Sequence, residues 1–187
     1  MKMSKKAFIF PGVGYTKDRP LLYYAGKIAV SHGYELVHMD FSGMDWSKEK
    51  LKDSKRFDKI LAECLARTEK VYDGLHDKQD ICDHLFISKS IGTVVATAFA
   101  KEKGLKVKQI CFTPLEYIDD YIEDGNGIIF YGDGDPYADP DQVAAICKKR
   151  KLEAHCFANA NHSLETGDVV NDIENIQKVM KRVDEVI

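Results

Sequence analysis

Short apolar runs with uncharged centres recur along this chain, and between them stand longer segments whose apolar residues return every three or four positions. Lys6–Phe10, Tyr34–Phe41, Leu85–Ile87, Lys106–Phe112, Gly127–Tyr131 and Glu153–Phe157 read as buried strands. Pro20–His32 carries apolar residues at 21, 22, 25, 28 and 29 and is closed by Gly33, the pattern of an amphipathic helix. A long helix is expected from about Lys48 to Leu75, and an apolar one over Val94–Ala100. Asp139-Pro140-Asp141-Gln142 opens another, with proline at its first position and a D-x-x-Q capping box. Thr166 starts a final helix whose apolar stripe runs through 169, 170, 173, 176, 180 and 183. Strands alternating with helices, with uncharged strand centres, predict an α/β fold. Its expected form is a three-layer α/β/α sandwich with a mostly parallel sheet of about six strands.

At 187 residues the chain is expected to form a single domain over residues 1–187. A net charge of −3 gives no basic surplus that would point to a nucleic-acid partner. No run approaches the apolar length of a membrane span, and the apolar stretch behind the basic N-terminus is too short for a signal-peptide core. A cytoplasmic protein is therefore expected, with its five cysteines reduced and mostly buried. Those cysteines show no C-x-x-C pair, and Cys82 and His84 have no second ligand pair at metal spacing, so no metal site is expected.

Two glycine-rich readings of Pro11-Gly12-Val13-Gly14-Tyr15 fail. A dinucleotide fingerprint needs glycine where Lys17 stands, and a P-loop needs glycine at Leu21 and Ser or Thr at Ile28. A different motif, Ser88-Lys89-Ser90-Ile91-Gly92, is set between the Leu85–Ile87 strand and the Val94–Ala100 helix. Ser88, Ser90 and Gly92 have the spacing of a nucleophile elbow, where the positions two before and two after the serine must be small because backbone presses on them. Lys89 and Ile91 then occupy outward positions where bulk is tolerated. The alternative is a helix start capped by Ser88 or Ser90.

The motif resembles the G-x-S-x-G of the α/β-hydrolase superfamily, with Ser88 replacing the first glycine. The Pro11–Gly14 turn resembles that family's H-G-x-G loop, with Pro11 in place of histidine. Gly132-x-x-Asp135-Pro136 resembles its acid loop, and Asn161-His162-Ser163 its histidine loop. Ser90, Asp135 and His162 each follow a strand, in the order the family uses. The resemblance spans nearly the whole chain and implies a small, lidless member of the superfamily. It implies Ser90 as nucleophile, His162 as general base and Asp135 as the acid that orients the ring. The N–H groups of Ile91 and Val13 would form the oxyanion hole, with Gly14 in reserve. Asp133 and Asp139 are the other candidate acids, although Asp139 is placed as a helix cap. Ser88 is the rival nucleophile but falls before the turn. Tyr15, Trp46, Tyr117 and Tyr137 lie on loops that could line a pocket.

The expected activity is hydrolysis of a small or soluble acyl ester or thioester through an acyl-enzyme on Ser90, without a cofactor. Nucleic-acid and membrane partners are not expected. A non-catalytic small-molecule binder on the same scaffold, or an amidase or peptidase with the same triad, are the alternatives.

Overall fold

The computed structural model describes residues 3–46 and 54–187. Six strands form one wholly parallel sheet: β1 (Ser4–Phe10), β2 (Glu35–His38), β3 (Ile81–Lys89), β4 (Val107–Phe112), β5 (Ile128–Gly132) and β6 (Glu153–Phe157). Their order is β2-β1-β3-β4-β5-β6. Five described helices cover the sheet: α1 (Pro20–Ser31), α2 (Ser54–Asp73), α3 (Ile91–Lys103), α4 (Pro140–Lys149) and α5 (Val169–Val186). The result is the three-layer α/β/α arrangement.

Alternation along the strands sorts the core onto two faces. Ala7, Ile9, Leu85, Ile87, Ile110, Phe112 and Phe130 pack against Leu21, Leu22 and Ala25 of α1 and Val179 and Val183 of α5. Phe8, Phe10 and Phe86 face the other way, onto Phe57 and Leu61 of α2 and Val95 and Phe99 of α3. Cys111, Ile129 and Tyr131 extend that second face beneath Val143 and Cys147 of α4. Each fully buried phenylalanine contributes about 1.5–3 kcal/mol, so β3, buried on both faces, anchors the sheet.

Three expectations shift. The strand expected over Tyr34–Phe41 pairs only over Glu35–His38, because the Asp40 carboxylate accepts a hydrogen bond from the Ser42 N–H at 2.8 Å and turns the chain. The start of the long helix expected from Lys48 lies outside the described residues. The final helix begins at Val169 with Asp168 as its cap, while Thr166 bonds Asp172 instead. Of its expected stripe, Val169, Val170 and Ile173 are exposed, Ile176 and Met180 half-buried and Val183 in the core, where Val179, outside the expected stripe, joins it. Among the described residues, no helix is long and apolar enough to cross a membrane.

From β1 the chain crosses outward to β2, whereas β3 through β6 progress in the opposite direction. The reversal lies between β1 and β3, and the carboxyl ends of these strands flank the crevice where ligands collect in open α/β sheets. The Pro11–Tyr15 loop and the Ser90 turn meet at that point.

Candidate active site

Ser90 sits at the turn from β3 into α3 with φ 57° and ψ −126°, a backbone conformation that is strained for a residue other than glycine. Bonds on both sides hold it there. Its N–H donates to Phe112 O at 3.0 Å, and its carbonyl accepts from the N–H and the hydroxyl of Thr93 at 2.9 and 2.7 Å. The two small neighbours are required by close packing. A Cβ on Gly92 would fall 2.5 Å from Phe10 O and 2.6 Å from Pro11 O. Ser88 is fully buried and donates to Ile110 O at 3.2 Å, so its hydroxyl faces the sheet and is spent.

The capping alternative is decided by where the Ser90 hydroxyl goes. Ser90 precedes the first turn of α3, yet its side chain makes no cap bond. Its Oγ lies 2.7 Å from His162 Nε2 instead, and His162 Nδ1 lies 2.6 Å from Asp135 Oδ2. A carboxylate can only accept, so Nδ1 carries the ring proton and Nε2 is left to accept from the serine. The Asp135 side chain is 2 % exposed, and its other oxygen accepts from Tyr137 N–H at 2.8 Å. Asp133 and Asp139 have other tasks. Asp133 accepts from Asn159 N–H at 2.5 Å, and Asp139 caps α4 through Asp141 N–H at 2.9 Å.

The acid and histidine loops are joined because β5 and β6 are neighbours. Asp133 N–H donates to Phe157 O at 3.2 Å and Gly134 N–H to Ala160 O at 3.1 Å. A Cβ on Gly132 would lie 2.0 Å from Ala160 O, so only glycine permits that approach. The histidine loop braces itself as well: Asn161 Oδ1 accepts from Ser163 N–H at 2.7 Å and Glu165 N–H at 3.2 Å. Burial lowers the His162 pKa from its ordinary value, the Asp135 bond opposes that, and the nearby Lys89 charge lowers it further. The ring is consequently neutral near pH 7 and able to take a proton.

Ile91 is the first residue of α3, so its N–H is among the donors that a helix leaves unpaired in its first turn. Gly12 and Tyr15 exchange backbone bonds of 3.2 and 3.3 Å, and Val13 and Gly14 N–H take no part in that pairing. This loop lies against the serine: a Cβ on Gly12 would be 3.0 Å from Ser90 Cβ.

Lys89 and Ile91 are not outward. Each is 1 % exposed, because the loops after β1 and β6 close over the end of β3 while Ile91 enters the α2–α3 core. Lys89 Nζ donates to the main-chain carbonyl of His162 at 2.6 Å and lies 5.0 Å from the centre of the Tyr15 ring. Thr113 is the other unanticipated neighbour, donating its hydroxyl to the same carbonyl at 3.0 Å. A charge directly after the uncharged Leu85–Ser88 run was the available signal for Lys89; nothing in the sequence marks Thr113. Of the four loop aromatics, Tyr137 stands beside the His162 ring with centroids 5.0 Å apart. Tyr15 lies under Lys89 with its oxygen accepting from Leu21 N–H, Tyr117 stacks on Phe57, and Trp46 packs against the core.

Solved structures of similar shape carry hydrolase descriptions. The α/β serine hydrolase without lid XC6422 of Xanthomonas campestris matches 96 % of this chain and 84 % of its own at 13 % identity, with a TM-score of 0.66. Ferulic-acid-bound Est1E of Butyrivibrio proteoclasticus matches 98 % and 88 % at 14 % identity, with a TM-score of 0.69. An α/β serine hydrolase homologue from Coxiella burnetii matches 97 % and 85 % at 18 % identity, with a TM-score of 0.65. No protein-family model and no curated protein matches the sequence. The chain has the α/β-hydrolase fold, and its similar structures include lidless serine hydrolases and esterases.

Proposed function

We propose that this protein is a serine hydrolase that cleaves a small or soluble acyl ester or thioester through an acyl-enzyme on Ser90. The observation that carries the reading is the His162 imidazole bridging the strained Ser90 hydroxyl, at 2.7 Å, and the buried Asp135 carboxylate, at 2.6 Å.

Ser90 Oγ attacks the acyl carbon as its proton passes to His162 Nε2, and Asp135 stabilises the resulting imidazolium. The carbonyl oxygen gains negative charge and is met by the N–H groups of Ile91 and Val13, with Gly14 in reserve; such a donor is worth about 3–4 kcal/mol of barrier. Collapse expels the alcohol or thiol, which takes the proton from His162, and leaves the acyl group on Ser90. Water, deprotonated by His162, then attacks that ester, and the carboxylic acid departs with Ser90 restored. No step requires a cofactor. The esterase descriptions of similar structures support an oxygen ester as the first substrate to test.

Hydrolysis of p-nitrophenyl acetate, acetylthiocholine and an acyl p-nitroanilide should be compared for the native chain and Ser90→Ala. Ester or thioester turnover lost in Ser90→Ala is the expected result. Undiminished turnover in Ser90→Ala would refute the nucleophile, and preference for the anilide would make the protein an amidase. A native chain that turns over none of them, yet binds acyl compounds, would be a binding protein on this scaffold.

A further inference from the structure

We propose that Lys89 is a positioning residue for the His162 base, clamping the histidine's main-chain carbonyl together with Thr113 so that the ring stays over the Ser90 hydroxyl. The proposal deepens the serine-hydrolase reading and rests on it.

Asp135 fixes one end of the imidazole, but a ring held at one nitrogen can still tilt with its backbone. That backbone is secured at the carbonyl of His162, which accepts from Lys89 Nζ at 2.6 Å and from Thr113 Oγ1 at 3.0 Å. Both donors come from strand ends on the opposite side of the site: Lys89 ends β3, one residue before the nucleophile, and Thr113 follows β4. Each is itself immobilised. Thr113 is fully buried, has φ 42° and donates its N–H to Phe130 O at 2.7 Å. A β-branched residue in the left-handed region is held there only by its surroundings. The Lys89 stem runs beside Gly12, where an added Cβ would sit 3.6 Å from Cδ, and its ammonium rests on the Tyr15 ring at 5.0 Å. The clamp thus ties the nucleophile's turn and the base's loop to one carbonyl oxygen.

Stability alone does not account for this lysine. An ammonium buried with a neutral carbonyl as its hydrogen-bond partner loses hydration without gaining an adjacent counter-charge. A methionine of similar length would fill the space without that cost. The ionisable side chains facing Lys89 are Tyr15 from the loop after β1, Asp135 from the loop after β5, and His162 and Glu165 from the loop after β6. Burial pushes the ammonium down to about 7, with Asp135 and Glu165 opposing. The remaining positive charge adds to burial, the larger cause, in disfavouring imidazolium at His162.

The test is kinetics on p-nitrophenyl acetate from pH 5 to 9 for the native chain, Lys89→Met and Thr113→Val. Lys89→Met should lose about 10- to 100-fold in kcat with KM little changed, the scale expected when a reacting group is displaced by a fraction of an ångström to an ångström. Its acid limb should move to higher pH, because the charge opposing imidazolium is gone. Thr113→Val removes a neutral donor and should lose several-fold in kcat with the acid limb in place. A Lys89→Met enzyme with native kcat, or with lowered kcat and an unmoved acid limb, would overturn the proposal. Should Lys89→Met fail to fold, native kcat in Thr113→Val would overturn it equally. NMR titration of the His162 ring reads the predicted rise in its pKa without turnover: a rise in Lys89→Met beside an inactive native chain would fail the hydrolase reading alone, and an unmoved pKa would overturn the proposal.

Discussion

Two lysines are buried in neighbouring strands of this sheet, and the two ends of the sheet treat them oppositely. At the amino end, Lys6 of β1 reaches Glu35 Oε2 at 2.6 Å and Asp77 Oδ2 at 2.8 Å, its side chain 8 % exposed. Burial alone would lower its pKa, but the two carboxylates outweigh that and raise it. At the carboxyl end, Lys89 of β3 bonds a neutral carbonyl, and burial brings it down to about 7. The amino end neutralises its charge in place. The carboxyl end holds a strained serine, a buried carboxylate, a neutral imidazole and an ammonium without an adjacent counter-ion. That division matches the general rule that open α/β sheets keep their chemistry at the carboxyl ends of the strands. A buried charge is informative about function only once its partner is known.

The sharpest break between the two ends comes from Asp135→Asn. The amide can donate to Nδ1 and select the wrong tautomer, so kcat on p-nitrophenyl acetate should fall about 10⁴-fold. Lys6→Met, at the other end, should leave kcat at the native value. Equal losses in both would dissolve the distinction. Next in size is Gly92→Ala, which forces a methyl against Phe10 O and Pro11 O. A loss of about 2–3 kcal/mol in denaturant unfolding is expected, with midpoint shifted and slope unchanged. A neutral result would mean the elbow can widen.

The pH dependence of stability separates the lysines more finely. Lys89 has a folded pKa of about 7 against an ordinary 10.5, so between those values the unfolded chain keeps a proton that the folded chain has released. Stability from this group therefore climbs as pH rises from about 7, by up to about 1.4 kcal/mol per pH unit. Its cost is fully present below that. Buried thiols act in the opposite sense at higher pH, Cys64 and Cys111 being pushed up to about 12. The comparison is accordingly native chain minus Lys89→Met, read between pH 7 and 9; a flat difference would contradict the burial. The smallest effect is Lys6→Met on unfolding, a loss of about 0.5–1 kcal/mol, since Glu35 is well exposed and screened by water.

The strand and helix order was legible because uncharged runs such as Ile128–Tyr131 have few other uses, and because Gly33 and Pro140 punctuate helices. The loops holding Ser90, Asp135 and His162 were legible too, each following such a run. What could not be read depends on contacts between segments far apart in the chain. Lys89 looks outward from its neighbours in sequence, and only the loops of Tyr15 and His162, 74 residues before it and 73 after, close it in. The D-x-x-Q box is similar: Gln142 donates to the Asp139 carboxylate at 3.2 Å instead of reaching back to the Asp139 N–H, which Glu116 takes at 2.8 Å. Thr166 and Asp168 are both good caps, and the Asp172 carboxylate engages the threonine and leaves Asp168 to start the helix.

Labelling with a fluorophosphonate followed by peptide mapping addresses the central claim most directly. The native chain should carry one adduct, on Ser90, forming faster as pH rises through the lowered His162 pKa. A folded native chain that takes no probe, or that carries it on Ser88 or another residue, would contradict the account.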